Sequence, residues 1–139
     1  MAKYMLIMRE TAESRAATEN IDFDEMQKVM GAYNEELIRA GVLLAAEGLD
    51  DPNNGVVVDF TGEAPVVTDG PYGEIKELFN GYYIIDVASV QEAVEWSKRM
   101  PMTAGTKIEI RRVPSIDEFN QDNEFIGRER DWREQTGQL

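Results

Sequence analysis

The chain contains no cysteine and no histidine. These absences remove disulfides, thiolate nucleophiles, cysteine or histidine zinc sites and the usual general base near neutral pH. Any chemistry falls to carboxylates, hydroxyls, amines, guanidinium groups or a borrowed cofactor, and no cofactor or metal motif is visible. Positive charge is also scarce: 14 Lys+Arg stand against 27 Asp+Glu, a formal net charge of −13. A field of that sign repels phosphate backbones and anionic lipid heads, so direct nucleic-acid binding is not expected. No apolar run approaches the roughly 18 residues of a membrane span, and the N-terminal stretch lacks the h-region and cleavage site of a secretory signal. The expectation is a cytoplasmic protein without a membrane partner. With 139 residues, 42% of them hydrophobic, there is material for one core and too little for two.

What is present has clear periodicity. Lys3 to Arg9 is apolar on both faces of an extended chain, with Tyr4, Leu6 and Met8 against Met5 and Ile7, and reads as a central strand. A polar loop follows. Asp22 stands three residues before Glu25, the spacing of a capping box, and Met26, Val29, Met30, Tyr33 and Leu37 recur at helical intervals up to Gly41. The spacing predicts a helix over 24–40, its methionine and aromatic stripe being core rather than a ligand groove. Val42 to Glu47 reads as a second strand, and the turn cluster at 50–55 leads into a small hairpin over Val56 to Phe60 and Pro65 to Thr68. Gly81 to Val87 is the strongest strand, entered through an Asn80-Gly81 turn and again apolar on both faces. Ser89 with Glu92 opens a second helix that Pro101 ends, and Thr106 to Val113 alternates as an outer strand.

Without the hairpin, the order is strand, helix, strand, strand, helix, strand. That is the split βαβ arrangement of a ferredoxin-like α+β domain over residues 1–113. Two helices cover one face of such a sheet, yet two strands are apolar on both faces, so the second face needs a cover. One solution is a homodimer in which two sheets face each other and enclose a cleft. The other is the extension over 114–139, which carries seven acidic and three basic residues and only scattered apolar ones, and which docks or frays.

One local motif has individual character. In Asp69-Gly70-Pro71-Tyr72 the proline fixes its own φ, the glycine accepts unusual angles, and the aspartate accepts backbone hydrogen bonds. This corner delivers Tyr72 as an anchored aromatic, with Glu74 and Lys76 adding an acid and an amine nearby. The bland alternative is a turn with a self-satisfied aspartate and a surface ion pair.

The stretch VTDGPYGEIKELFNGYYIIDVASVQEAVEWSKRMP resembles the signature of the DGPF, or YCII-related, domain family, and the likeness spans about residues 3–113. The resemblance implies a dimeric α+β barrel built on ferredoxin-like units and a ligand or active site near the DGP corner, with no defined reaction. The histidine that pairs with an aspartate in YCII-like relatives has no counterpart here; Asp69 matches the aspartate of the motif. Members resembling this subgroup often occur beside genes for extracytoplasmic-function sigma factors.

Two functional classes follow. In the first, a small molecule sits in the cleft, Asp69 or Glu47 acts as acid or base, and Arg9 or Lys76 holds an anionic group, with Gly70, Pro71, Tyr72 and Glu74 shaping the site. A carboxylate base titrates near about 4 unless burial raises it, so this reading demands a buried carboxylate. In the second, the protein is a non-catalytic regulatory module whose acidic surface meets a basic partner such as a sigma factor. A carboxylate metal site from Glu47, Asp69, Glu74 or Asp86 would need oxygen ligands converging from separate segments, and accidental carboxylates abound in so acidic a chain.

Overall fold

The computed structural model describes residues 1–70 and 77–139. Its elements run β1 (Ala2–Thr11), α1 (Ala12–Thr18), α2 (Phe23–Arg39), β2 (Leu43–Gly48), β3 (Val56–Asp59), β4 (Val66–Asp69), β5 (Glu77–Val87), α3 (Val90–Lys98), β6 (Lys107–Val113) and α4 (Glu124–Gln135), with 3-10 turns at Pro52–Asn54 and Ile116–Glu118. Four strands form one antiparallel sheet in the order β2-β5-β1-β6, and β3 with β4 forms a separate two-stranded sheet. The order is that of the ferredoxin-like α+β fold expected from the sequence. The four-stranded sheet is open at its edges, so one chain closes no barrel.

Pairing assigns the two faces. Tyr4 opposes Ile85 and Leu6 opposes Tyr83, and these side chains pack with Tyr33 and Leu37 of α2 and Ala93 of α3 into the core. Leu6, Leu37, Ile85 and Val87 are completely buried; each such side chain contributes about 1.5–3 kcal/mol relative to exposure. The α2 stripe is narrower than its spacing suggests, because Val29 is exposed while Tyr33 and Leu37 are buried. Two phenols bring polar atoms into this core and satisfy them: Tyr33 Oη donates to the Trp96 carbonyl at 2.8 Å, and Tyr83 Oη donates to Asn34 Oδ1 at 2.6 Å. Burial pushes both phenols up from their ordinary titration range, so they remain protonated donors.

Helix ends follow local chemistry. Gly41 stops α2 with φ 73°, its N–H bonding Ile38 O while Val42 N–H bonds Leu37 O, which closes the last turn in a Schellman motif. Asp22 caps the same helix but accepts from Asp24 N–H rather than completing a capping box with Glu25. Ser89 accepts from Glu92 N–H, and the Glu92 carboxylate reaches back to Ala88 N–H.

Two features differ from the sequence expectation, and a third, the extension, takes one of the two forms left open for it. The polar loop after the first strand contains α1, nucleated by a reciprocal box in which Thr11 Oγ1 accepts from Ser14 N–H and Ser14 Oγ accepts from Thr11 N–H. The strand expected to start at Gly81 begins at Glu77. Its Asn80-Gly81 pair is a β-bulge rather than a turn: Met8 opposes Gly81, Arg9 opposes Phe79, and Asn80 is the extra residue. The extension past residue 113 is ordered as a 3-10 turn and α4, capped by Asn123 and lined with Glu124–Arg128 and Glu129–Arg133 pairs at i,i+4.

Candidate functional site

Helices α2 and α3 cover one face of the main sheet. The other face is built from the alternate residues: Lys3, Met5, Ile7 and Arg9 of β1, Phe79, Tyr82, Ile84 and Asp86 of β5, Ala45 and Glu47 of β2, and Lys107, Glu109, Arg111 and Val113 of β6. Its two ends are unlike.

At the end near Lys3 and Asp86, the extension supplies a roof. Ile116 is buried, and the Arg112 guanidinium grips the Glu118 carboxylate through two hydrogen bonds of 2.6 and 2.9 Å. Lys3 Nζ donates to the Gln138 carbonyl at 2.8 Å, and Arg130 pairs with Asp117. Between α4 and the sheet lies a cleft of about 930 Å³, whose walls include Lys3, Leu44, Ile84, Asp86, Ile126 and Arg133. Its described walls contain none of Arg9, Glu47, Asp69 or Gly70.

At the opposite end a different set of groups meets. Glu47 of β2 opposes Tyr82 of β5, Tyr82 opposes Ile7 of β1, and Ile7 opposes Glu109 of β6, which makes one row across the sheet. The bulge at Asn80 keeps Phe79 on this same face, where its ring stacks on Tyr82 with centroids 6.3 Å apart and planes 28° from parallel. Arg9, opposite Phe79, lies 3.6 Å from the Glu109 carboxylate. Beside them Asn80 Oδ1 is buried without a hydrogen-bond partner, an acceptor that calls for a donor.

The hairpin of β3 and β4 springs from this end. Arg15 of α1 ties its base down, reaching Asp51 at 3.2 Å and Glu10 of β1 at 3.6 Å. Asp69 opposes Val56 at the base, and Gly70, with φ 73°, donates its N–H to Gly55 O at 2.8 Å. The glycine therefore serves the left-handed corner expected of it. Pro71, Tyr72, Glu74 and Lys76, the other candidates of the corner, lie outside the described residues.

The structure thus brings Arg9 and Glu47 onto one face and one end of the sheet, with Asp69 and Gly70 at the base of the neighbouring hairpin. Sequence reasoning missed Phe79, Tyr82 and Glu109 as companions of Arg9, since their convergence depends on register and on a bulge; strict alternation from Gly81 turns Phe79 the wrong way. Glu47 and Asp69 are both exposed. Among the described residues no three carboxylates gather as a cation site, and no helix is long and apolar enough to cross a membrane.

Strand order and the packing of α2 and α3 on one side define a ferredoxin-like α+β domain carrying a hairpin insertion. Within that class the chain belongs to the YCII-related domain family, whose model matches residues 2–119 and so ends before α4. An uncharacterised protein of Rhizobium meliloti (strain 1021) is 27% identical over 75 residues, which cover 54% of this chain. The chain spans about 60% of the length of that relative.

Proposed function

We propose that this YCII-related protein binds a small anionic molecule on the open sheet face, at the end that carries Arg9 and Glu47 and from which the hairpin ending in Asp69 and Gly70 springs, and that it does so as a homodimer. One observation carries the reading: the Arg9 guanidinium, paired with Glu109, and a stacked Phe79–Tyr82 pair share one face and one end of the sheet, which the other described residues leave open, with Glu47 two strands away on the same face. The guanidinium supplies a charged, forked donor for a carboxylate or phosphate group. The aromatic pair supplies a flat apolar floor for the body of the molecule. Asp69 and Glu47 are the groups available for proton transfer, with Lys76 as a second cation. Because both carboxylates are exposed in one chain, acid–base work requires that a second copy cover them, and binding alone does not.

The test is thermal shift of the full chain against a panel of small carboxylates and phosphate esters, repeated with Arg9→Ala and Asp69→Ala. A ligand that raises the melting temperature of the parent protein, and loses that effect in both variants while each still folds and assembles normally, is the expected result. A ligand effect that survives both substitutions would place the site elsewhere. Loss of stability in Asp69→Ala without any ligand effect in the parent would mark the corner as structural.

A further inference from the structure

Among the described residues, nothing covers the arm formed by the hairpin of β3 and β4. Register puts Val56 and Val58 on the same face as Val67, and continuation of the strand adds Phe60 at the tip. These four side chains are 64%, 49%, 63% and 74% exposed, respectively. An isolated two-stranded ribbon is at best marginally stable in water, so an apolar face of this kind calls for a packing partner. The same chain holds a second incomplete surface: the open sheet face between the α4 roof and the arm base, where Phe79 is 45% exposed.

We propose that the arm of one copy lies across the open sheet face of a second copy, and that its Phe60 closes the binding patch around Arg9, Glu47 and Tyr82. This rests on the homodimeric reading above and gives that dimer its contact. Three features support it.

The first is charge. Residues 50–70 carry Asp50, Asp51, Asp59, Glu63 and Asp69 and no lysine or arginine. The open face carries Arg9, Lys107 and Arg111 against Glu47 and Glu109, a balance of one positive charge in a molecule of net charge −13. An acidic arm is thereby attracted to this face more than to other parts of so acidic a surface.

The second is area. The arm side chains together with Ile7, Phe79 and Tyr82 offer roughly 600 Å² of apolar surface per copy, which with a polar rim meets the ~800 Å² per partner of a stable interface. The third is symmetry. Both surfaces belong to one chain, so a two-fold arrangement covers both arms and both faces at once. With strands rising about 3.3 Å per residue, the arm reaches roughly 15–20 Å from its base, enough to cross a four-stranded sheet about 4.8 Å per strand wide. Burial under the tip is also the cover that Glu47 lacks in a single chain.

The experiment uses the full chain and exploits its lack of cysteine. Oligomeric state is measured by sedimentation for the parent protein and for Phe60→Asp, with circular dichroism confirming that the variant is folded. Separately, Val58→Cys and Ile7→Cys proteins are mixed and mildly oxidised, so that a disulfide joining the two different chains reports arm-to-sheet contact between copies. The proposal expects a dimer for the parent, weakening on the order of 10³-fold in Phe60→Asp because a hot-spot loss of about 30-fold enters twice, and a mixed disulfide. A dimer that persists in Phe60→Asp with no mixed disulfide overturns the arm contact and leaves the dimeric binding site standing. A monomeric parent overturns both the arm contact and the dimer. A mixed disulfide in a protein that shows no ligand effect keeps the arm and removes the ligand.

Discussion

Replacing Gly81 with alanine adds one methyl group at the most crowded point of the sheet. A Cβ there meets the Met8 side chain, the Glu47 carbonyl oxygen at 2.8 Å and Gly48 Cα at 3.3 Å. Met8 can swing away, but the Glu47 carbonyl belongs to the β2 backbone and moves only if the β2–β5 ladder opens. Overpacking of this kind costs about 1–3 kcal/mol. At roughly 3 °C per kcal/mol for a domain of this size, the melting temperature should fall by about 3–9 °C. Gly31, inside α2, is the matched comparison, because a Cβ built there has nothing within 4 Å. Its alanine variant gains helix propensity and should be more stable by about 0.5–1 kcal/mol. The assay is thermal unfolding followed by circular dichroism, at one protein concentration so that assembly does not shift the midpoints. Two variants that move in the same direction, or a neutral Gly81→Ala, would refute the contact geometry assigned to the bulge.

Other outcomes follow from the polar contacts. Tyr33→Phe removes one of the two donors to the half-buried Trp96 carbonyl, the other being Arg99 N–H, while keeping the ring edge-on to Tyr83 at 5.8 Å; chemical denaturation should show a loss of about 1 kcal/mol with an unchanged slope. The Glu118 carboxyl is held at about 2, below its ordinary 4.5, by hydrogen bonds from Arg112 and then by the Ser115 N–H. Because the folded value is depressed, this contact supports the extension above pH 4.5 and is lost as pH falls toward 2. Carboxyl carbon NMR should show that low titration and its rise toward the ordinary range in Arg112→Ala, where the Ser115 N–H still holds it down in part.

The strands, the two long helices and their order were legible because each had a period of its own: both-face apolar runs for β1 and β5, a 3-4 stripe for α2, alternation for β6. The short helix α1 was not, since Ala-Glu-Ser-Arg-Ala-Ala carries no apolar stripe and only the Thr11 and Ser14 pair announces it. The extension looked formless for the opposite reason. Its apolar residues do not line up, and α4 is held instead by charge pairs along its length and by Lys3 and Asp117 at its base. Arg9 and Glu47 could be nominated from the sequence, but their shared face with Tyr82 and Glu109 rests on strand register, which a single chain does not spell out.

The unpaired residue at Asn80 sets a parity. Side chains upstream of it in β5 stand on the side opposite to the one that counting by twos from Gly81 would assign, which is why Phe79 looks outward and Leu78 inward. Loss of Asn80 would leave a regular ladder with the same sidedness, whereas one added residue would swing Phe79 toward the helices and Leu78 into its place. Among relatives, the number of residues between this aromatic and the glycine therefore tells which of them keep an aromatic floor beside Arg9.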